Sequence, residues 1–377
     1  MWNTWSICFS GSSRRRSKRL AVPSRIVVRG TNWVGDTVIS LPAAKELRRI
    51  FPLAHLTFWI PRGLSELVKA SGIPDDVICF DKNSGGPLLR PFRMRRRLAG
   101  GRFDMAVLFQ NAFESAFTSA LARIPVRAAF PTDLRGPLLN IRVPLRKDLR
   151  SRHQVFYYLA ITDFLEDCFG RPKPCTNAPP DCSIRIGGRI LERAREILRS
   201  SGADLERPIF CLCPGSVNSE AKRWPGDYFA KLGDLLIDNV GAGAVFLGAP
   251  EESDLIDGII SMMHAPAAVN LAGKADIITS MGVMKQSKMV ISNDTGSAHL
   301  AVAASSTVLT VFGPTSAGAT APYGPNAYIV QGKAPCAPCR HFRCPLPNHQ
   351  CMRGLAPEAV LGRVQEILSS QRRCSLR

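Results

Sequence analysis

Asp36 is the one acid in RGTNWVGDTV, residues 29–38, a run that follows the apolar Ile26-Val27-Val28 and precedes a helical pattern. A carboxylate placed between strand and helix has two uses. It can cap the helix start, or, facing a cleft, it can take a proton from an attacking hydroxyl as general base. Three more strand-to-helix loops, all in the second half, suit an anion or a sugar. In CPGSVNSEAKRWP (213–225), Gly215, Ser216 and Asn218 are small enough for backbone N–H groups to approach a phosphate, and Lys222 adds a positive charge. The G-x-x-x-x-G-K-[ST] spacing of a P-loop is absent, and an ordinary connecting loop reads the same way. In SNDTGSAH (292–299), Asp294, Thr295, Gly296 and Ser297 precede a helix whose first N–H groups and dipole favour an anion. Asp294 and Ser297 serve equally as caps, and His299, one turn in, fits packing as well as function. In GAPEESD (248–254), Glu251 or Glu252 can accept from ribose hydroxyls, although carboxylates in a first helical turn are favoured with no ligand at all.

A fifth cluster has different chemistry. CAPCRHFRCPLPNHQC (336–351) holds Cys336, Cys339, Cys344 and Cys351, with His341 and His349 beside them. A CxxC followed by two more cysteines fits a structural zinc site. Disulfides and free thiols are the alternatives. The segment is compact and rich in Pro, which fits a structural knot and not a catalytic centre.

Positioning these loops requires strands that end and helices that begin at each. The first half alternates them: RIVVR, AHLTFWI, DVICF and FDMAVLF read as strands, with helices over GDTVISLPAAKELRRIF, LSELVKASG and ESAFTSALAR. CFGRPKPCTNAPPDC (168–182), with four prolines and no periodicity, reads as a linker. After a helix near 187–200 the rhythm restarts. PIFCLCPG, GAVFLGA, KMVISND and STVLTVFG are strands, with helices between them and a last helix in PEAVLGRVQEILSSQ. The expected fold class is therefore α/β: two doubly wound parallel-sheet domains that face a central cleft, with ligands at the C-terminal strand ends. The boundaries read as a basic tail at 1–23, a first domain at 24–170, a linker at 171–185, a second domain at 186–356 and a C-terminal helix and tail at 357–377.

Charge separates the two halves. Of a formal net charge of +19, residues 1–180 carry 29 Lys and Arg against 13 Asp and Glu, while 181–377 carry 20 against 17. The basic runs RRRSKR (14–19), RPFRMRRR (90–97) and RVPLRKDLRSR (142–152) point to an anionic partner, a membrane surface or an acidic substrate. Solvated helix faces would look similar. Nucleic acid is disfavoured, because aromatic residues are only 7% and no zinc-finger or RNP-like sequence occurs. No apolar run is long enough for a transmembrane helix, and the N-terminal charges follow the apolar residues, unlike a signal peptide. Twelve cysteines without a secretion signal suggest a reducing compartment.

The ordered set GTNWVGD, CPGS…AKRWP, NLAGK, SNDTGSAHLAVA and VFGPT resembles the ADP-heptose:lipopolysaccharide heptosyltransferases, glycosyltransferase family 9, and most of all their heptosyltransferase II branch. The resemblance spans about residues 24–370, and it is the order of the motifs that carries it. It implies a GT-B fold of two Rossmann-like domains, with the acceptor on the first and the nucleotide sugar on the second. It implies inverting, metal-independent transfer of heptose from ADP-L-glycero-D-manno-heptose to the inner core of lipopolysaccharide. Asp36, beside Gly35, would be the general base. Lys222 and the loop of Gly215, Ser216 and Asn218 would hold the diphosphate. Asp294, Thr295 and Gly296 would contact diphosphate and heptose, with His299 close by. Glu252 is preferred for ribose, and Leu271–Lys274 would flank adenine. No cofactor would be needed for catalysis, with zinc at the cysteines as a structural option. A monomer on the cytoplasmic face of a Gram-negative inner membrane, held to an anionic Kdo-lipid A acceptor and its leaflet by charge, completes the expectation. The alternatives are a related transferase using another nucleotide sugar, or a non-catalytic nucleotide- or metal-binding scaffold. A dehydrogenase is disfavoured, since no G-x-G-x-x-G follows either leading strand.

Overall fold

The computed structural model describes residues 20–81, 86–172, 178–217, 219–265, 268–339 and 341–375. The expected basic tail falls almost wholly outside these residues, as do Asn218 and the middle of the linker. The chain divides into two units, Met1–Cys182 and Ser183–Arg377.

The first unit runs β1 (Arg25–Arg29), α1 (Val34–Ile50), β2 (His55–Pro61), α2 (Ser65–Ala70), β3 (Asp76–Phe80), α3 (Gly86–Gly100), β4 (Met105–Leu108), α4 (Phe113–Leu121), β5 (Val126–Ala129), β6 (Ile141–Arg142) and α5 (Gln154–Cys168). The second runs α6 (Gly188–Ser200), β7 (Ile209–Cys213), α7 (Gly226–Val240), β8 (Gly243–Phe246), α8 (Ser253–Ser261), β9 (Ala268–Asn270), α9 (Ile277–Gln286) and β10 (Met289–Asn293). It continues with α10 (Gly296–Ala303), β11 (Val308–Phe312), α11 (Ala317–Thr320), β12 (Ala327–Gln331), α12 (Gln350–Arg353) and α13 (Pro357–Ser375).

The sheets are six-stranded and parallel, ordered β3-β2-β1-β4-β5-β6 and, read from the opposite edge, β9-β8-β7-β10-β11-β12. Both units therefore share one topology, with the order reversing between the first and fourth strand of each. The central strands are buried on both faces, as IVV of β1 and all five residues of β7 are, because helices cover both sides of the sheet. In the first unit α1 packs on α5. In the second, α6 packs on α9 and α13 on α7, over a core that includes Trp224, Phe229 and Phe246. The reversal opens a crevice at the strand ends, so ligand loops belong after β1 and β4, and after β7 and β10.

Candidate functional site

In the second unit the reversal point is bridged by an ion pair. Lys222, in the loop after β7, places Nζ 2.7 Å from Oδ2 of Asp294, which follows β10. The Thr315 hydroxyl donates to the same oxygen at 2.7 Å. Asp294 is almost wholly buried while Lys222 remains partly accessible, 4% against 28% for the side chains. The ammonium thus faces outward from an anchored carboxylate, and the pair carries no net charge. Asn293 fixes both ends of the Lys222 loop: its Nδ2 donates to the Pro214 carbonyl at 2.6 Å, and its Oδ1 accepts from the Trp224 N–H at 3.1 Å. Arg223 donates twice to the Ser216 carbonyl, at 2.9 and 3.3 Å.

The start of α10 suits an anion. Its N-cap, Thr295, is extended and makes no side-chain cap. Asp294, which could have capped it, is bonded to Lys222 and Thr315 instead. Gly296 and Ser297 stay partly accessible at this end, and His299 is buried beneath. Free N–H groups at a helix start, with the dipole behind them, favour a phosphate.

Glu252 lies against the same region. Its Oε2 accepts from the Ala249 N–H at 2.9 Å, and a Cβ on Gly215 would stand 2.0 Å from its Oε1. Only glycine at 215 leaves room for that carboxylate. Glu251 is exposed. Gly273, with φ +70°, brings its N–H to the Gly248 carbonyl at 3.3 Å, so Leu271–Lys274 runs beside the Glu252 turn.

The cysteine-rich segment lies against the Lys222 loop. All four cysteines are free thiols: Cys336 exposed, Cys339 and Cys344 half-buried, Cys351 buried. Among the described residues no group of three or more His, Cys, Asp and Glu side chains is arranged to hold a metal ion. Cys351 joins the apolar core, its Sγ 3.1 Å from where a Cβ on Gly313 would lie. Burial, and then Cys336, Cys339 and Cys344 nearby, push its thiol up. What the segment does is hold the Lys222 loop. The Phe342 carbonyl accepts from the Ala221 N–H at 3.0 Å and from the Ser219 hydroxyl at 3.2 Å. His349 Nε2 lies 2.9 Å from the Ala221 carbonyl, and Arg343 pairs with Glu220 at 3.0 Å.

In the first unit, Asp36 is the third residue of α1 and half-exposed, next to Gly35. The N-cap position belongs to Trp33, whose side chain makes no cap. Thr31 and Thr37 hydroxyls meet at 2.9 Å, pinning the loop of 30–33 onto α1. Tyr158 of α5 is buried nearby: burial, then the Asp36 charge, pushes its phenol well above the usual range and keeps it protonated.

Sequence reasoning missed two arginines here. Arg29, the last residue of β1, is buried between the faces of Trp59 and Phe80, 5.0 and 4.7 Å from their ring centroids. It donates to the Gly30 carbonyl and, at 2.7 Å, to Asn32 Oδ1. Burial lowers its pKa to about 9, which leaves it charged at neutral pH. Arg135 is completely buried and pushed down to about 10, again by burial. It donates to the carbonyls of Phe130 (2.9 Å) and Gln110, and to Asn111 Oδ1 at 2.9 Å, where the Tyr157 hydroxyl also donates. Neither cation hydrogen-bonds a carboxylate among the described residues. The signal for Arg29 was an arginine closing an otherwise apolar strand; Arg135 had none.

An α/β chain of two doubly wound units, with a Lys-Asp pair and a bare helix start at a strand-order reversal, is built as a GT-B nucleotide-sugar transferase is. The comparisons narrow this. Residues 91–350 match the family model described as glycosyltransferase family 9 (heptosyltransferase), and the chain belongs to that family. The lipooligosaccharide heptosyltransferase 2 of Haemophilus influenzae is 26% identical over 348 residues, 91% of this chain and 99% of that relative. The solved structure of Escherichia coli ADP-heptose lipopolysaccharide heptosyltransferase II superposes with a TM-score of 0.76 at 22% identity, over 92% of this chain and 99% of that one. The E. coli heptosyltransferase WaaC with ADP-2-deoxy-2-fluoro heptose gives 0.66 at 20% identity, over 91% and 99%.

Proposed function

We propose that this heptosyltransferase moves heptose from ADP-heptose to the inner core of lipopolysaccharide, with inversion and without a metal, and that Asp36 is its general base. The observation that carries the reading is the Lys222–Asp294 pair at the β7/β10 reversal, beside the uncapped start of α10. Breakage of the C1–O bond puts growing negative charge on the diphosphate. Lys222 and the N–H groups of 296 and 297 would stabilise that charge more in the transition state than before it, the role a divalent cation plays elsewhere, while the Thr295 N–H is spent on the Asn293 carbonyl at 2.8 Å. Asp294, held by Thr315, keeps Lys222 in place until phosphate oxygens replace it as partner. Glu252 would accept from ribose, with adenine along Leu271–Lys274. Asp36 would take the proton of the attacking hydroxyl as it closes on C1 from the side opposite the diphosphate.

The first unit would hold the acceptor. Kdo carboxylates and lipid A phosphates are anionic, and the buried Arg29 and Arg135, neither hydrogen-bonded to a carboxylate among the described residues, put positive charge at its strand ends. A lipid-borne acceptor calls for contact with the inner leaflet of the cytoplasmic membrane. No helix among the described residues is long and apolar enough to cross a membrane, so that contact would be peripheral.

Incubation with ADP-heptose and Kdo-lipid A, with and without a first heptose, tests the reading by the mass of the product. A gain of one heptose in the presence of a chelator supports it. Turnover of a UDP- or GDP-sugar in place of ADP-heptose overturns the donor, and full activity in Asp36→Ala overturns the base.

A further inference from the structure

We propose that the ledge formed by α3 and the start of α4 is a membrane-docking surface, its rings and leucine entering the interface of an anionic bilayer while its arginines bind the headgroups. This deepens the reading of a lipid-borne acceptor and rests on it.

The sequence of α3, GPLLRPFRMRRRLAG, contains five arginines and no acid. Its helical spacing sorts them. Pro91, Met94 and Leu98 turn inward and are buried. Leu89, Phe92, Arg93 and Arg96, at i, i+3, i+4 and i+7, share the opposite face. Leu89 is 58% exposed and Phe92 52%, so two large apolar side chains stand on the outward stripe, Phe92 on the side toward α4.

The patch continues onto α4. Phe92 meets Phe117 edge-on at 6.4 Å, and Phe117 stacks on Phe113 at 5.8 Å with 19° between the rings. Phe113 is itself 45% exposed. Arg90 and Glu114 join the two helices at 3.6 Å. Isolated exposed apolar residues are ordinary, but a leucine and a three-ring ledge side by side form a patch that wants a cover. The rim selects the cover. Arg93, Arg95 and Arg96 are exposed and form no ion pair with a described residue, and Arg97 spends one N–H on the Cys79 carbonyl. Exposed apolar residues ringed by arginine suit the interface of an anionic leaflet, where rings settle at headgroup depth and guanidinium groups take phosphate.

The full chain is floated with phosphatidylcholine vesicles made with and without phosphatidylglycerol. Binding is expected only to the anionic vesicles and is weakened by salt. The pair Phe92→Ser/Phe113→Ser and, separately, Arg93→Gln/Arg96→Gln should each weaken it by about tenfold or more. Both should transfer heptose to a water-soluble, delipidated acceptor within about twofold of the parent, since none of these side chains is among those assigned to the donor or to the base. Equal binding by parent and variants overturns the proposal, and so does equal binding to neutral vesicles. A dimer that dissociates in Phe92→Ser/Phe113→Ser without vesicle binding overturns it too, by making the ledge a contact between copies. Vesicle binding requires no turnover, so its failure leaves the transfer reading standing, and failure of transfer leaves the docking result standing.

Discussion

The two units share a strand order and open a crevice at the same place in it, yet they fill that crevice with opposite electrostatics. After β7 and β10 the positive charge is paired: Lys222 lies on a buried Asp294, and Thr315 completes the carboxylate's bonds. After β1 and β4 the positive charges are hydrogen-bonded by carbonyl, amide and hydroxyl oxygens, as Arg29 and Arg135 show. A paired lysine suits a ligand that arrives, reacts and leaves, since the empty site stays neutral and costs little to maintain. A buried cation with no carboxylate in hydrogen-bond contact is costly unless bonded throughout, and both arginines are held by several bonds to strand-end loops. The fold thus supplies the place, and under the proposed function a few side chains would decide whether it releases a diphosphate or holds an anionic acceptor.

The comparison can be broken most severely at Asp36. Replacing it by Asn should lower kcat by about 10²–10⁴-fold, with ADP binding by calorimetry unchanged, because the base and the donor site lie in different units. Unaltered turnover would remove the first unit from the chemistry. Next is Lys222→Met, expected to reduce kcat by about 10²–10³-fold and weaken ADP binding. It also strands the Asp294 carboxylate, so thermal stability should fall, and the double variant Lys222→Met/Asp294→Asn should recover stability without recovering activity. Were activity to return as well, the pair would be structural only.

A smaller effect is expected from His349→Ala, which removes the contact to the Ala221 carbonyl and frees the loop that aims Lys222. A drop in kcat of about tenfold with a modest loss of ADP affinity is the outcome that fits, measured by turnover and calorimetry. The smallest is Arg29→Met. Loss of its bond to Asn32 should loosen the 30–33 loop and reduce kcat several-fold, while ADP binding stays the same. Its effect on unfolding free energy should be within about 2 kcal/mol of zero, because the lost hydrogen bonds are offset by relief of a buried charge. A large loss of ADP affinity in this variant would contradict the division of labour between the units.

Much of this was legible in the residues. Runs such as RIVVR and KMVISND are apolar on both faces, and small or acidic residues follow them, so the strands and the loops that end them could be read without coordinates. Other elements were not. The arginine-rich α3 reads as a charge cluster until its buried Met94 and Leu98 reveal an amphipathic helix. β5, β6 and α5 left too weak a periodicity. The four cysteines fit a metal-ligand spacing, but spacing cannot say that Cys351 turns into an apolar core. Arg135 left no signal, and Arg29 only that of an arginine closing an apolar strand, because burial, and not identity, gives them their character.

What the sequence by itself determined is local: where strands stop, which loops are small and polar, and how charge divides between the halves. Local chemistry sets those, through side-chain periodicity and the backbone demands of turns. Which loops meet was decided only by the tertiary structure. Lys222 reaches Asp294, 72 positions away, because the sheet places β7 beside β10. His349 reaches Ala221 because a segment beyond the last strand folds back across the same loop. Parallel pairing depends on the order in which distant strands assemble, and nothing in a strand's own residues names its neighbour.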